Sequence, residues 1–297
     1  MQLYELAALA AAASWALSGI ISAGPSAHMG AMAYSRLRMS MVFVMLAVAA
    51  LFTGGWGTLT ADIVPALLAS GVIGIFVGDT ALFLAMNRLG PRRTSILFAM
   101  NAPMAVLLGW LLLGETLEPI PLFGVGVCMA GVVLAIVFGK RRSQLHTWED
   151  VKGPLWIGIA LGLLAAAGQA VGALIARPVM AGGVDPVAAS AVRVGISAVA
   201  LIAAMQLPIA GFKQRNPPTW RIAGLVALSG FMAMGVGMTL ILFALASGKV
   251  GVVSVLSATT PVMILPMIWA STRERPAVGA WVGAVLVVVG SALLFNA

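Results

Sequence analysis

The chain lacks nearly everything that a soluble protein or a metalloenzyme is built from. Only 9% of its 297 residues are charged, with one cysteine and two histidines, while 61% are hydrophobic. A soluble domain of that composition could not keep its apolar side chains out of water, so the chain belongs in a bilayer. Cys128 is alone and lies within an apolar run, which rules out an intramolecular disulfide or a cysteine-based metal cluster. Neither His28 nor His146 falls in a long apolar run, and the sequence has no glycine-rich phosphate loop and no carboxylate cluster. No metal site, cofactor or ATP-driven step is expected. An intramembrane enzyme is disfavoured too, since hydrolysis or group transfer needs paired acid, base or nucleophilic groups.

Long apolar runs are what the sequence does have. Ten of them approach the roughly 20 residues that span about 30 Å of hydrocarbon as a helix. They lie near 4–22, 34–52, 63–86, 94–113, 120–139, 154–176, 187–207, 222–245, 251–270 and 277–296. The runs are continuous rather than alternating, which excludes a β-barrel. The first has no basic n-region, carries Glu5 and is longer than a signal-peptide core, so it is expected to stay as a span. The prediction is an all-α membrane protein with ten transmembrane helices and short connections.

The net charge of +8 would suggest nucleic acid as a partner in a soluble protein. Here the cations fall between spans, and the expected partner is the lipid bilayer. Counted by loop, Arg36, Arg38, Arg88, Arg92, Arg93, Lys140, Arg141, Arg142, Lys152, Lys213, Arg215, Arg221, Arg273 and Arg275 sit at odd-numbered connections. That is 14 of the 17 Lys and Arg, against Arg177, Arg193 and Lys249 at even ones. Cationic loops resist export, so the odd loops are expected in the cytoplasm and both termini outside.

The second half repeats the first. Trp15 aligns with Gln169, Arg38 with Arg193, Gly90 with Gly248, Pro103 with Pro261, Glu115 with Glu274, Gly124 with Gly283 and Gly131 with Gly290. Carrying the same offset back from Gly90 sets Gly237 opposite Asp79. Five spans per copy is odd, so the copies enter the membrane in opposite senses, as two inverted five-helix repeats. The units are residues 1–139 and 154–297, joined by a cytoplasmic linker at 140–153. The duplicated unit has an Arg early in its second span, a Pro in its fourth, and a Glu-containing turn before a glycine-rich fifth. The turns read "LLGETLEP" and "STRERP". This unit resembles the EamA branch of the drug/metabolite transporter superfamily over essentially the whole chain, and is most similar to amino acid exporters of the YddG type. The second turn departs from the pattern in having Arg273 before Glu274. The resemblance implies a secondary transporter in a bacterial inner membrane.

Asp79 is the one carboxylate well inside a predicted span, and burying it at a helix centre costs about 2.5 to 3.5 kcal/mol on insertion scales. It needs a partner, a proton or water. Phe76, Phe83 and Met86 share its face at helical spacing, which suits a large amino acid or an amphipathic organic cation. The alternative is a structural pair with an arginine such as Arg38. Gln169 lies beside small residues, as does Trp15 with Ser18, which offers an amide and an aromatic wall. Interhelical glue is the competing role. Asn101 precedes Pro103, and Ser254 and Ser257 share a face with Pro261. The two matched prolines are expected to kink spans at a midplane cavity, or only to bend helices for packing. Arg38 and Arg193 are expected as structural or gating charges. The methionines of "FMAMGVGM" read as core first and cavity lining second. The expected activity is export of small amphipathic metabolites, amino acids foremost, by alternating access around a cavity between the repeats, with Asp79 the group on which proton coupling would depend. Multidrug export is the other reading.

Overall fold

The computed structural model describes residues 2–113, 119–138, 151–206, 213–247, 253 and 256–295, and all regular structure among them is helical. The first repeat supplies α1 (Leu3–Met29), α2 (Ala31–Thr53), α3 (Val64–Phe98), α4 (Asn101–Leu113) and α5 (Pro119–Val137). The second supplies α6 (Leu155–Ala181), α7 (Pro186–Ala204), α8, α9 (Thr260–Thr272) and α10 (Val278–Phe295), where α8 runs through Trp220–Gly230, Phe231–Met238 and Thr239–Ser247. By length and composition α1, α2, α3, α6, α7 and α8 are long and apolar enough to cross a membrane. Ser254, Glu115 and residues 139–150 lie outside the described residues.

Helix ends fall where the sequence supplies a stop or a cap. Gly30, at φ 88°, turns the chain between α1 and α2 in a conformation that a Cβ would strain. Asp185 accepts a 2.8 Å bond from the Ala188 N–H ahead of α7, and Pro186 occupies the first helical position. Thr219 caps α8 in the same way through the Ile222 N–H, at 3.3 Å.

The expected third and fourth spans meet inside α3. Gly90, at φ 80° and ψ 166°, is non-helical and divides it into two helical limbs. The chain reverses there, since Gly74, Gly78 and Leu89 lie against Gly172, Gly168 and Gly158 in turn, while Leu97 returns to Gly162. Pro91 opens the second limb, where a missing N–H costs little. One expectation is corrected: Arg92 and Arg93, counted as loop charges, are buried in the helical turn that follows Gly90, while Arg38 and Arg193, within the expected spans 34–52 and 187–207, are buried in α2 and α7. The matched prolines stand beside matched breaks. The expected fourth span is interrupted at Ala99 and Met100 and the ninth at Ala258 and Thr259, so Pro103 is the third residue of α4 and Pro261 the second residue of α9. Each lacks the N–H that would bond four residues back across the break. Other prolines lie within helices at Pro25 in α1, Pro178 in α6 and Pro266 in α9.

The inversion can be followed through contacts. Gly131 of α5 abuts Gly283 of α10, where an added Cβ would meet the Gly283 carbonyl at 2.7 Å. Gly290 abuts Cys128 and the Gly124 carbonyl, and Gly279 abuts Phe138, so α5 and α10 run antiparallel. The end of α2 meets the start of α7, since Gly55 abuts Asp185 while Gly195 abuts Phe43. The end of α1 lies by Asn87 of α3 through Ser26, at 3.0 Å. Its start packs on Ile241 and Ala244, near the end of α8. Helices at equivalent places in the two repeats thus run in opposite directions.

The repeats also interlock. Small residues let α6 ride on α3, with Gly172 against Gly74 and Gly168 against Gly78, so close that a Cβ on Gly172 would lie 2.7 Å from the Gly74 Cα. In mirror fashion α1 rides on α8. Ser18 Oγ donates to the Ser229 carbonyl at 2.8 Å, and Ser70 Oγ donates to the Gly172 carbonyl at 2.6 Å. Connections gather by parity: Arg215 lies over Gly30 and its N–H bonds Met29, while the Lys152 N–H bonds Arg88. The Asp185 N–H, at an even connection, bonds Thr58 at another.

Candidate functional site

Where α1, α3, α4, α6, α8 and α9 converge, the interlocked helices leave two cavities, each of about 90 Å³. The first is bounded by Ser22, Met86, Pro91, Thr94 and Phe98, toward the odd-numbered connections. The second is bounded by Asn101, Ala105, Leu174, Arg177 and Ser257, toward the even-numbered ones. Trp15 and Gln169 line both. These two residues occupy equivalent places in the repeats, so the wall between the cavities stands on the pseudo-two-fold axis.

The two halves of that wall are held differently. Trp15 Nε1 donates to the Ala233 carbonyl at 3.0 Å, within the wide π-helical turns Phe231–Met238 of α8. Such turns disturb the regular backbone bonding and are frequent at functional sites, and α3 has its own at Gly71–Val77. Gln169 makes no side-chain hydrogen bond with a described residue. Its amide is open to whatever occupies either cavity.

Asp79 lines the first cavity together with Arg38, and the two form an ion pair, Nη1 to Oδ2 at 3.3 Å. The Arg38 guanidinium also lies 4.8 Å from the centre of the Phe83 ring and 6.0 Å from that of Tyr34. Tyr34 is fixed by its hydroxyl, which donates to Ser22 Oγ at 2.6 Å and bonds Ser229 Oγ at 2.7 Å. Pairing and cavity lining, set against each other in the sequence, therefore coexist in Asp79. The pair presents a carboxylate and a cation to the cavity beside the Phe83 ring and Met86, with Tyr34 packed behind them.

The equivalent place in the second repeat holds Met238. Gly230 lies against the Arg38 side chain and Gly71 against the Arg193 backbone. Gly237 lies against Trp15 as Gly78 lies against Gln169. This register puts Gly78 with Gly237 and Asp79 with Met238, correcting by one residue the pairing of Asp79 with Gly237. Arg193 Nη1 accordingly donates to Met238 Sδ at 3.4 Å, where Arg38 meets a carboxylate.

Of the other expected residues, Trp15, Ser18, Phe83, Met86 and Gln169 come to the first cavity, and Asn101 and Ser257 to the second. Phe76 does not reach either one. It packs into the cluster around Met39, Val194 and Met234, because the π-helical turns shift it off the face that a uniform 3.6-residue period assigns to Asp79 and Phe83. Asn101 spends its Nδ2 on the Phe98 carbonyl at 2.7 Å, and Thr259 Oγ1 bonds the Leu256 carbonyl at 2.6 Å. The two breaks ahead of Pro103 and Pro261 are thus closed by equivalent side chains. The sequence reading missed Thr94, Ser95 and Thr260 as lining residues, although hydroxyls beside a helix break were a usable signal.

A model of the EamA-like transporter family matches this chain twice, over residues 2–137 and 156–296. A solved structure described only as "Crystal structure of protein" superposes with a TM-score of 0.70. It covers 98% of this chain and 95% of its own at 17% sequence identity, a likeness of fold. No curated protein sequence matches significantly.

Proposed function

The chain belongs to the EamA-like transporter family, and from that premise we propose that it is a secondary carrier exporting small amphipathic metabolites, above all amino acids with aromatic or other large neutral side chains. The observation that carries this reading is the pair of cavities divided at the pseudo-two-fold axis by Trp15 and Gln169. In alternating access the two repeats exchange conformations, so the wall opens to one cavity as it closes to the other. Cargo in the first cavity meets the Phe83 ring and the Met86 thioether as an apolar surface, and the Arg38–Asp79 pair and Gln169 as polar handles. Proton coupling would be carried by Asp79, whose carboxylate releases Arg38 when protonated.

The bacterial inner membrane and the orientation belong to the same proposal. With Arg38, Arg92, Arg93 and Arg193 buried, the remaining loop cations still favour the odd-numbered connections, which places those connections in the cytoplasm and the termini in the periplasm. The first cavity then lies toward the cytoplasm, where an exporter loads.

The test is counterflow of labelled phenylalanine into proteoliposomes containing only this protein. Exchange above that of empty liposomes, competed by tryptophan and leucine, is the expected result. No exchange of any neutral amino acid, with uptake of a lipophilic cation such as tetraphenylphosphonium, would replace amino acid export with drug export, to which the carboxylate and rings of the first cavity are also suited.

A further inference from the structure

The two repeats carry buried arginines at equivalent places, and among the described residues only one of them has a carboxylate partner. Arg38 and Arg193 are each 2% exposed. Arg38 has Asp79, whereas Arg193 forms no ion pair with a described carboxylate, its Nη1 meets only the Met238 thioether, and its Nε has no hydrogen-bond partner. Glycines make room for it, since Gly71 abuts its backbone and a Cβ on Gly74 would lie 3.5 Å from its Nη2. Met238 stands between this cation and the first cavity, touching the guanidinium on one side and lining the cavity on the other. A thioether is polarizable and flexible and supplies no countercharge. A cation held in low dielectric without one favours an anion close by.

We propose that Arg193, screened only by Met238, makes the first cavity a subsite for an anionic group, and that the cargo presents a carboxylate to it. The assignment rests on the carrier reading above and narrows its substrate class. The Arg38–Asp79 pair contributes no net charge, so Arg193 sets the sign of this part of the cavity. Guanidinium geometry suits a carboxylate, which accepts two parallel N–H bonds, and rotation of the Met238 side chain is the movement that exposes it. Cargo with both charges is satisfied at both places, its carboxylate toward Arg193 and its ammonium toward Asp79.

The repeat itself supplies the discriminating variant. M238D gives Arg193 the partner that Arg38 already has, in a geometry the fold accommodates in the other half. Apparent dissociation constants are measured on the full-length protein in detergent, by ligand-dependent thermal stabilisation. The probes are L-phenylalanine, 3-phenylpropionate, which lacks the amine, and L-phenylalaninamide, which lacks the carboxylate. In the unmodified protein the two carboxylates are expected to bind at least about tenfold more tightly than the amide. M238D and R193Q should erase that preference, R193K should keep part of it, and M238L, which alters no charge, should keep it whole. Should R193Q fail to fold, M238D and R193K still decide. Equal or tighter binding of the amide, survival of the preference in M238D, or no binding of any probe would overturn the assignment. Carboxylate preference without flux in proteoliposomes would sink the carrier reading and leave the subsite. Flux with no such preference would do the reverse.

Discussion

Removing the Asp79 charge while keeping its shape, as D79N does, isolates the buried ion pair. In the native protein Arg38 Nη1 and Asp79 Oδ2 are 3.3 Å apart, with side chains 2% and 10% exposed. At an effective dielectric of about 20, Coulomb's law gives an attraction of about 5 kcal/mol at that distance, much of which is offset by the cost of taking both groups out of water. The variant still leaves Arg38 buried with its charge. Its remaining partner, the Phe83 ring at 4.8 Å, contributes about 0.5 to 2 kcal/mol as a cation–π contact. Stranding one member of a buried pair typically costs about 3 to 5 kcal/mol, and the ring contact, present in the parent as well, leaves that difference unchanged. R38M in the D79N background should recover most of that, because two neutral side chains replace the pair. The assay is a double-mutant cycle of thermal unfolding in detergent across the parent, D79N, R38M and the combination. A coupling energy below about 0.5 kcal/mol would refute the pairing argument, and so would a double variant less stable than both singles.

P103A and P261A restore an N–H able to bond across the breaks at Ala99–Met100 and before Thr260. Each should insert normally and slow counterflow severalfold, the double variant most, and a double variant with parental flux would remove the breaks from the mechanism. G131A puts a methyl 2.7 Å from the Gly283 carbonyl, whereas Gly126 has nothing within 4 Å; G131A should therefore lower the melting temperature while G126A leaves it unchanged. W15F keeps an aromatic wall but deletes the 3.0 Å bond to Ala233, which should lower stability by about 0.5 to 1.5 kcal/mol and slow counterflow. A cysteine at Ser143 in a C128A background should escape a membrane-impermeant maleimide applied to intact cells, and efficient labelling there would reverse the orientation.

The parts of the site legible in the sequence are those that the duplication marks twice. Trp15 and Gln169 stand out as a matched pair of bulky residues among small ones, and they form the wall. Arg38 and Arg193 stand out as a matched pair too, early in the second span of each repeat, though their charge is also counted with the loops; each is buried within its helix. The prolines are correctly matched, while the breaks themselves lie a few residues ahead of each. A run of apolar residues long enough to span the membrane conceals a break inside it, because Ala99 and Met100 suit a helix as well as a turn. Phe76 is misassigned for a related reason, since a face drawn at 3.6 residues per turn does not survive π-helical turns. Met238 is the least legible. Its importance lies in being the residue that is not a carboxylate, and that emerges only once Gly71 and Gly230 fix the register.

The interactions that repeat and those that do not follow different constraints. A carrier made of inverted repeats moves between two conformations in which the halves trade places, so a frame interaction that opens in one half closes in the other. Ser18 with Ser229 and Ser70 with Gly172, or Gly131 with Gly283 and Gly290 with Gly124, are paired in this way. Exchanging such pairs leaves the balance between conformations nearly unchanged. A frame bias of about 2.8 kcal/mol would hold the disfavoured state near about 1%, and cargo would have to supply that energy at every cycle. The cavity is free of this constraint, because its side chains need only recognise the cargo, and there the halves diverge: Trp15 faces Gln169, and Asp79 is matched by Met238. Recognition of an asymmetric molecule requires an asymmetric surface, and the interlocked frame allows one to form at its centre without tilting the equilibrium that moves it.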